Sequence, residues 1–236
     1  MSGRRRHLFF GIFLIFSFLQ QEAIGFELKP IRIVTENGIT LLIVEQPSLP
    51  IVSVEALVRA GAIHDPNQRA GLANITATLL DEGTTGRTAV EISDAVDAIG
   101  ARLSTRARYD YMTAGLRVLK RDVDTGFDLL SDILINPRFD PKEVARIRTN
   151  LIGEILAEKD QPRAIARRAF RKMIFGNHPY HHPVNGFEET LQSVEQNDLV
   201  SFHRRYYRPN NTILSIVGDV TRQEAEALVQ KYFGKW

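Results

Sequence analysis

Residues Ile51–Arg59, IVSVEALVR, put Val52, Val54, Ala56 and Val58 on one side of an extended chain and Ser53, Glu55 and Arg59 on the other. That period of two requires a strand in a sheet with one covered face. Further runs ask for the same partner surface. Ile31–Glu36 and Ile39–Glu45 are rich in β-branched residues and flank Asn37-Gly38, which predicts a tight hairpin with positive φ at both positions. Ala101–Arg108, Asp110–Leu119 and Thr212–Val217 complete six expected strands.

Between them lie helical periods. Arg69–Glu82 carries Leu72, Ile75 and Leu79 on one face and stops at Gly83. Thr88-x-x-Glu91 is a capping box for a helix that stops at Gly100. Asp122–Ile135 ends at Asn136-Pro137, because the residue before proline avoids the helical region. Asp140-Pro141-x-Glu143 combines an N-cap, a first-turn proline and a capping acid, and opens a helix to about Lys159. Pro162 opens another, to about Phe175; Gly176–Phe187 reads as a loop; Ser193–Tyr206 and Thr221–Phe233 read as the last helices. Strands joined by short connections, with helices in separate runs, predict an α+β class. The expected fold is one domain, a single largely antiparallel six-stranded sheet with helices packed on it.

The N-terminus stands apart. Arg4, Arg5 and Arg6 precede an apolar run from Leu8 to Leu19, then Gln20, Gln21 and Glu22, then the small residues Ala23 and Gly25. This order is that of a signal peptide over 1–25, and the run is too short to span a bilayer. An exported, periplasmic protein is expected, with no membrane span after leader removal. Removing the leader's three Arg and one Glu leaves 27 basic and 27 acidic residues, so 26–236 is electrically neutral. That balance gives no case for a nucleic-acid partner. The absence of Cys excludes disulfides, thiolate metal sites and a cysteine nucleophile.

No G-x-S-x-G elbow, H-E-x-x-H, P-loop or G-x-G-x-x-G is present. An ordered series of other pieces is. Gly71-Leu72-Ala73 and Leu80-Asp81-Glu82-Gly83-Thr84 bracket the first helix. Leu134-Ile135-Asn136-Pro137-Arg138-Phe139, Gly153-Glu154-Ile155, Asp160-Gln161-Pro162, and His178-Pro179-Tyr180 with Gly186 follow. Tyr207-Arg208-Pro209-Asn210-Asn211 and Val217-Gly218-Asp219 close it. Together they resemble the pitrilysin/insulinase family of zinc peptidases, which includes mitochondrial processing peptidase, over essentially all of 31–236. The resemblance implies the N-terminal domain of a subunit whose second, similar domain is absent from 26–236.

In that family, two His and a Glu in H-x-x-E-H, with a second Glu about 76 residues on, bind zinc and activate water. Here the motif reads Asn74-Ile75-Thr76-Ala77-Thr78, and only Glu154 matches the downstream ligand. An amide, a hydroxyl and one carboxylate make a poor zinc set, and Ala77 cannot take a proton. No catalytic residue and no cofactor are expected in this chain. Glu154 is expected to hydrogen-bond Asn74 or Thr78, or to face water.

The family works as paired halves closed around a peptide, one with zinc and one without. The resemblance therefore implies a non-catalytic half of an exported two-component zinc peptidase. A homologous zinc-bearing subunit and a peptide, held by strand addition to a sheet edge, would be its partners. Such a half is also expected to expose an apolar face where its missing second domain docks. Two alternatives are a stand-alone peptide- or protein-binding module, and an active peptidase with its metal relocated to His178, His181 and His182. A loop cluster without a supporting carboxylate is a weak metal signal. The cations Arg163, Arg167, Arg168, Arg171 and Lys172 share one expected helix and read as a solvated face or one turned to an acidic partner.

Overall fold

The computed structural model describes residues 29–236; the expected signal peptide lies outside the described residues. Six strands form one sheet: β1 (Ile31–Val34), β2 (Thr40–Glu45), β3 (Ile51–Val58), β4 (Arg102–Ala107), β5 (Met112–Leu119) and β6 (Thr212–Gly218). Their order in space is β1-β2-β6-β3-β5-β4. Only the β2–β6 pair is parallel. The sheet is thus largely antiparallel, as the sequence predicts.

The last strand in the chain sits near the middle of the sheet. The five-residue connection 46–50 arches over its end, where the Gln46 amide donates to Gly218 O at 2.7 Å and the Asp219 amide to Ile51 O at 3.0 Å. A Cβ on Gly218 would stand 2.1 Å from Ile51 O, so only glycine ends β6 there.

Eight α-helices occur among the described residues: α1 (Leu72–Thr78), α2 (Ala89–Ala98), α3 (Val123–Ile135), α4 (Pro141–Glu158), α5 (Pro162–Phe175), α6 (Glu188–Gln192), α7 (Gln196–Tyr206) and α8 (Arg222–Phe233). One sheet face carries Leu41, Ile43, Val54, Ala56, Ala114, Leu116, Leu214 and Ile216, all buried beneath helices. Ser53, Glu55, Arg102, Ser104 and Arg117 are exposed on the other. Against the buried face, α1 packs on β4 and α3 on β5, while α4 and α7 pack on α1 and α8 on α3. The capping boxes at Thr88/Glu91 and Thr221/Glu224 form, and Asp140 accepts from the Lys142 amide at 2.9 Å with Pro141 in the first turn.

Three local expectations change. The β1–β2 turn has positive φ at Gly38 alone, with the Gly38 amide on Thr35 O at 2.9 Å. It is a turn with a left-handed last residue, a three-residue loop rather than a two-residue one. The first helix is shorter than Arg69–Glu82. Gly71 at φ 98° breaks it from the 3-10 turn Asn67–Arg69, and after Thr78 the bonds tighten, as from the Leu80 amide to Ala77 O. The region expected as a helix from Ser193 instead begins at Gln196, and α6 precedes it. No helix of the described residues is long and apolar enough to cross a membrane.

Candidate functional site

Helix α1 is held at its start by buried polar contacts. The Asp65 carboxylate takes the amides of Gly71 and Ala73, each at 2.8 Å, and so serves two donors that have no partner within the helix. Burial pushes its pKa up to about 7, against those two bonds, which favour the ionised form. The loop before α6 presses on the same point. A Cβ on Gly186, which sits at φ 75°, would stand 2.1 Å from Ala70 O.

So fixed, α1 buries Leu72, Ala73, Ile75, Thr76 and Ala77. It leaves Asn74 and Thr78, one turn apart, half-buried on the wall of a cavity of about 700 Å³. From α4, Leu151 and Glu154 line the same space. The opposite wall is strand β4, through Thr105, Arg106 and Ala107, and the β4–β5 turn, through Tyr109. The structure thus brings Asn74, Thr78 and Glu154 to one cavity. It keeps Ala77 apart, fully buried beneath them.

The chemistry of the three is limited. Thr78 spends its hydroxyl on Asn74 O at 2.9 Å, inside its own helix. Glu154 is exposed and makes no hydrogen bond or ion pair among the described residues. It faces water, the second of the two expected outcomes. No group of three or more His, Cys, Asp or Glu able to hold a metal occurs among the described residues. An amide, a committed hydroxyl and one carboxylate do not fit zinc, which in catalytic sites takes three protein ligands with imidazole prominent. No step through a metal follows from these residues.

The histidine loop lies on the far side of the β4–β5 turn. A 3-10 turn, Pro179–His181, fans its consecutive side chains apart. His178 Nδ1 accepts from the Tyr180 amide at 3.2 Å, His181 Nδ1 lies 2.8 Å from His178 O, and His182 Nδ1 lies 3.1 Å from Pro183 O. His182 is buried, which pushes its pKa down, and its Nε2 has no partner. The loop's contribution to the cavity is through backbone and neighbours. Tyr109 donates to His182 O at 3.2 Å, and Tyr180 donates to Asp110 at 2.6 Å, which together brace the turn. Gly61 seats that turn from behind, since a Cβ there would stand 2.3 Å from Tyr109 O.

Asp65 and Tyr109 shape the cavity and are not singled out by the sequence. Asp65 acts six and eight residues down the chain, outside any capping spacing. Tyr109 falls between two expected strands, and nothing in its neighbours marks it as a wall.

Comparison with known proteins agrees with this architecture. Residues 40–186 match the insulinase family, Peptidase family M16, and residues 193–236 match the Peptidase M16 inactive domain. An uncharacterised zinc protease of Mycobacterium leprae is 30% identical over 203 residues, which cover 86% of this chain and 46% of the relative. The uncharacterised zinc protease YmxG of Bacillus subtilis is 25% identical over 205 residues, or 87% and 50%. The crystal structure of a peptidase M16 inactive domain from Pseudomonas fluorescens superposes with a TM-score of 0.84 at 27% identity, over 88% of this chain and 50% of that one. The periplasmic protease PqqL of Escherichia coli shares the fold, with a TM-score of 0.81 at 20% identity over 88% of this chain and 24% of its own. The chain spans about half the length of the curated relatives it matches. Sequence, sheet order and these likenesses converge: the chain belongs to the insulinase family of peptidases, family M16.

Proposed function

We propose that this chain is a non-catalytic half of an exported two-part zinc peptidase, forming one wall of its peptide chamber. The observation that carries the reading is the face of α1. Asn74 and Thr78 stand toward a large cavity beside Glu154, no group of three or more His, Cys, Asp or Glu able to hold a metal occurs there among the described residues, and Ala77 offers no base. Zinc and the water-activating base would belong to a homologous subunit with an intact H-x-x-E-H.

The wall has a use without a metal. Among the described residues β4 is the end strand of the sheet and pairs with β5 alone. Its Thr105–Ala107 stretch borders the cavity, so an extended peptide could add there as a further strand. Main-chain pairing of that kind reads extended shape more than sequence.

The test uses the purified chain and a homologous M16 subunit with an intact H-x-x-E-H from the same genome. The chain alone should cleave no peptide, the two together should cleave faster than the zinc-bearing subunit alone, and they should co-purify. Zinc-dependent hydrolysis by this chain alone would overturn the reading. Hydrolysis that disappears in His182→Ala would favour the relocated metal site. Export rests on the pattern of Arg4–Arg6 and Leu8–Leu19. N-terminal sequencing of the mature protein tests it, with a start near Phe26 expected.

A further inference from the structure

The free edge of β4 carries its charges on one side. The Arg108 amide donates to Tyr111 O at 2.7 Å, and in an antiparallel ladder bonded pairs alternate with unbonded ones. With the register Arg106↔Thr113, Ser104↔Gly115 and Arg102↔Arg117, residues 102, 104, 106 and 108 turn their amides and carbonyls toward β5. Leu103, Thr105 and Ala107 turn theirs outward, where no strand meets them among the described residues. An added strand would bond to those three.

Side chains alternate as well. Leu103, Thr105 and Ala107 point to the helix side, where Leu103 packs on the core and the other two line the cavity. Arg102, Ser104, Arg106 and Arg108 are exposed on the other face, and Arg117 of β5 lies beside Arg102. The guanidinium groups of Arg102, Arg106, Arg108 and Arg117 make no ion pair, hydrogen bond or ring contact among the described residues. The acid of β3 on this face, Glu55, lies across Gly115, a strand further in, and pairs with none of them. Asp110 is taken by the Tyr180 hydroxyl at 2.6 Å. Four unpaired cations thus gather on an edge that borders the cavity, although residues 26–236 carry no net charge.

We infer that the β4 edge selects extended peptides with Asp or Glu at alternate positions. This rests on the chamber-wall reading above and names the peptide that wall would hold. In an added antiparallel strand, the residue opposite Arg106 lies on the same face, with its Cβ about 5 Å away, where opposite charges attract and like charges repel. The residues opposite Arg102 and Arg108 share that face. The residues between them point to the cavity, where Glu154 disfavours further acid. Net negative charge is therefore not enough, and the acids must alternate.

The test measures binding of fluorescein-labelled peptides of about nine residues to the purified chain, by anisotropy at low ionic strength. One peptide alternates Glu with Thr. Others replace each Glu by Ser or by Lys, or gather the same Glu and Thr into two blocks. The alternating Glu peptide should bind at least about tenfold more tightly than each of the other three. R102E/R106E should reverse the order and prefer the Lys peptide, a gain that misfolding cannot produce. N-methylation at the Thr residues, whose amides would meet the strand edge, should abolish binding. Equal binding of all four peptides overturns the inference, and is what arginines that only guard an edge against aggregation would give. Binding that survives N-methylation, or no binding of any peptide, overturns it as well. Oligothymidylate bound as tightly as the alternating Glu peptide would assign the arginines to polyanions at large, which also overturns it. The two readings fail separately. Equal peptide binding by a chain that co-purifies with a zinc-bearing M16 subunit removes the edge specificity and leaves the functional reading. The expected peptide order in a chain with no such subunit removes the functional reading and leaves the specificity.

Discussion

Helices α1 and α5 are opposite solutions to packing. α1 is buried on almost every side, gripped at its start by Asp65 and pressed by Gly186, and it shows only Asn74 and Thr78 to the cavity. α5 buries Ala164, leans on the body through Arg168 and Arg171, and shows its largest apolar side chains to solvent. The first keeps its architecture although the residues on its functional face cannot hold zinc. The second leaves an apolar side uncovered by the described residues. A fold can therefore retain the frame of a metal site after its ligands are gone, provided the frame still positions something else. Here that something is the cavity wall.

The contrast can be broken most forcefully at Asp65. Asp65→Ala strands the Gly71 and Ala73 amides at the start of α1 and should cost about 2–4 kcal/mol, read as a lower denaturant midpoint with unchanged slope. A pH series sharpens the same point. The folded protein holds the Asp65 proton up to about pH 7, whereas the unfolded chain releases it near 3.8. Between these values the unfolded state binds fewer protons, so this group's contribution makes stability fall as pH rises, by at most about 1.4 kcal/mol per unit, and level off above. Burial lowers His182 and His203, whose contribution is lost as pH falls through their range, the opposite sign. The difference between wild type and Asp65→Ala isolates the aspartate, and a difference that stays flat from pH 4 to pH 7 contradicts its burial. On α5 the expected change in stability is the smallest: F170S/M173S should stay within about 0.5 kcal/mol of wild type, because those side chains touch little of the folded body. A loss of several kcal/mol there would show that this side of α5 is part of the core.

Much of this was legible in the chain. The period of two in Ile51–Arg59 and the boxes at Thr88 and Thr221 each specify local structure from residues a few positions apart and form as read; the Asp140-Pro141 cap forms too, but Glu143, expected as its capping acid, pairs with Arg146 instead. What failed depends on distant partners. The truncation of α1 follows from Gly71 taking a left-handed conformation against Asn185 and Gly186, more than a hundred residues on. The Asn37-Gly38 dipeptide permits two turns, and the sheet register selects the three-residue loop. The positions of the candidate site could be placed by resemblance, but the cavity could not, because its far wall is a turn held by the histidine loop. The cations of α5 were visible as a basic face. That its apolar side faces out was not, since periodicity defines two faces without saying which one meets the core.

The central claim is that the cavity keeps the geometry of a metal site without its ligands. It is tested by the zinc content of the purified chain beside that of N74H/T78H, after equilibration with zinc and removal of the excess. The account predicts a stoichiometry near zero for wild type and near one for the double variant, in which two imidazoles one turn apart join Glu154 on the same cavity. One tightly held zinc per wild-type chain would contradict it.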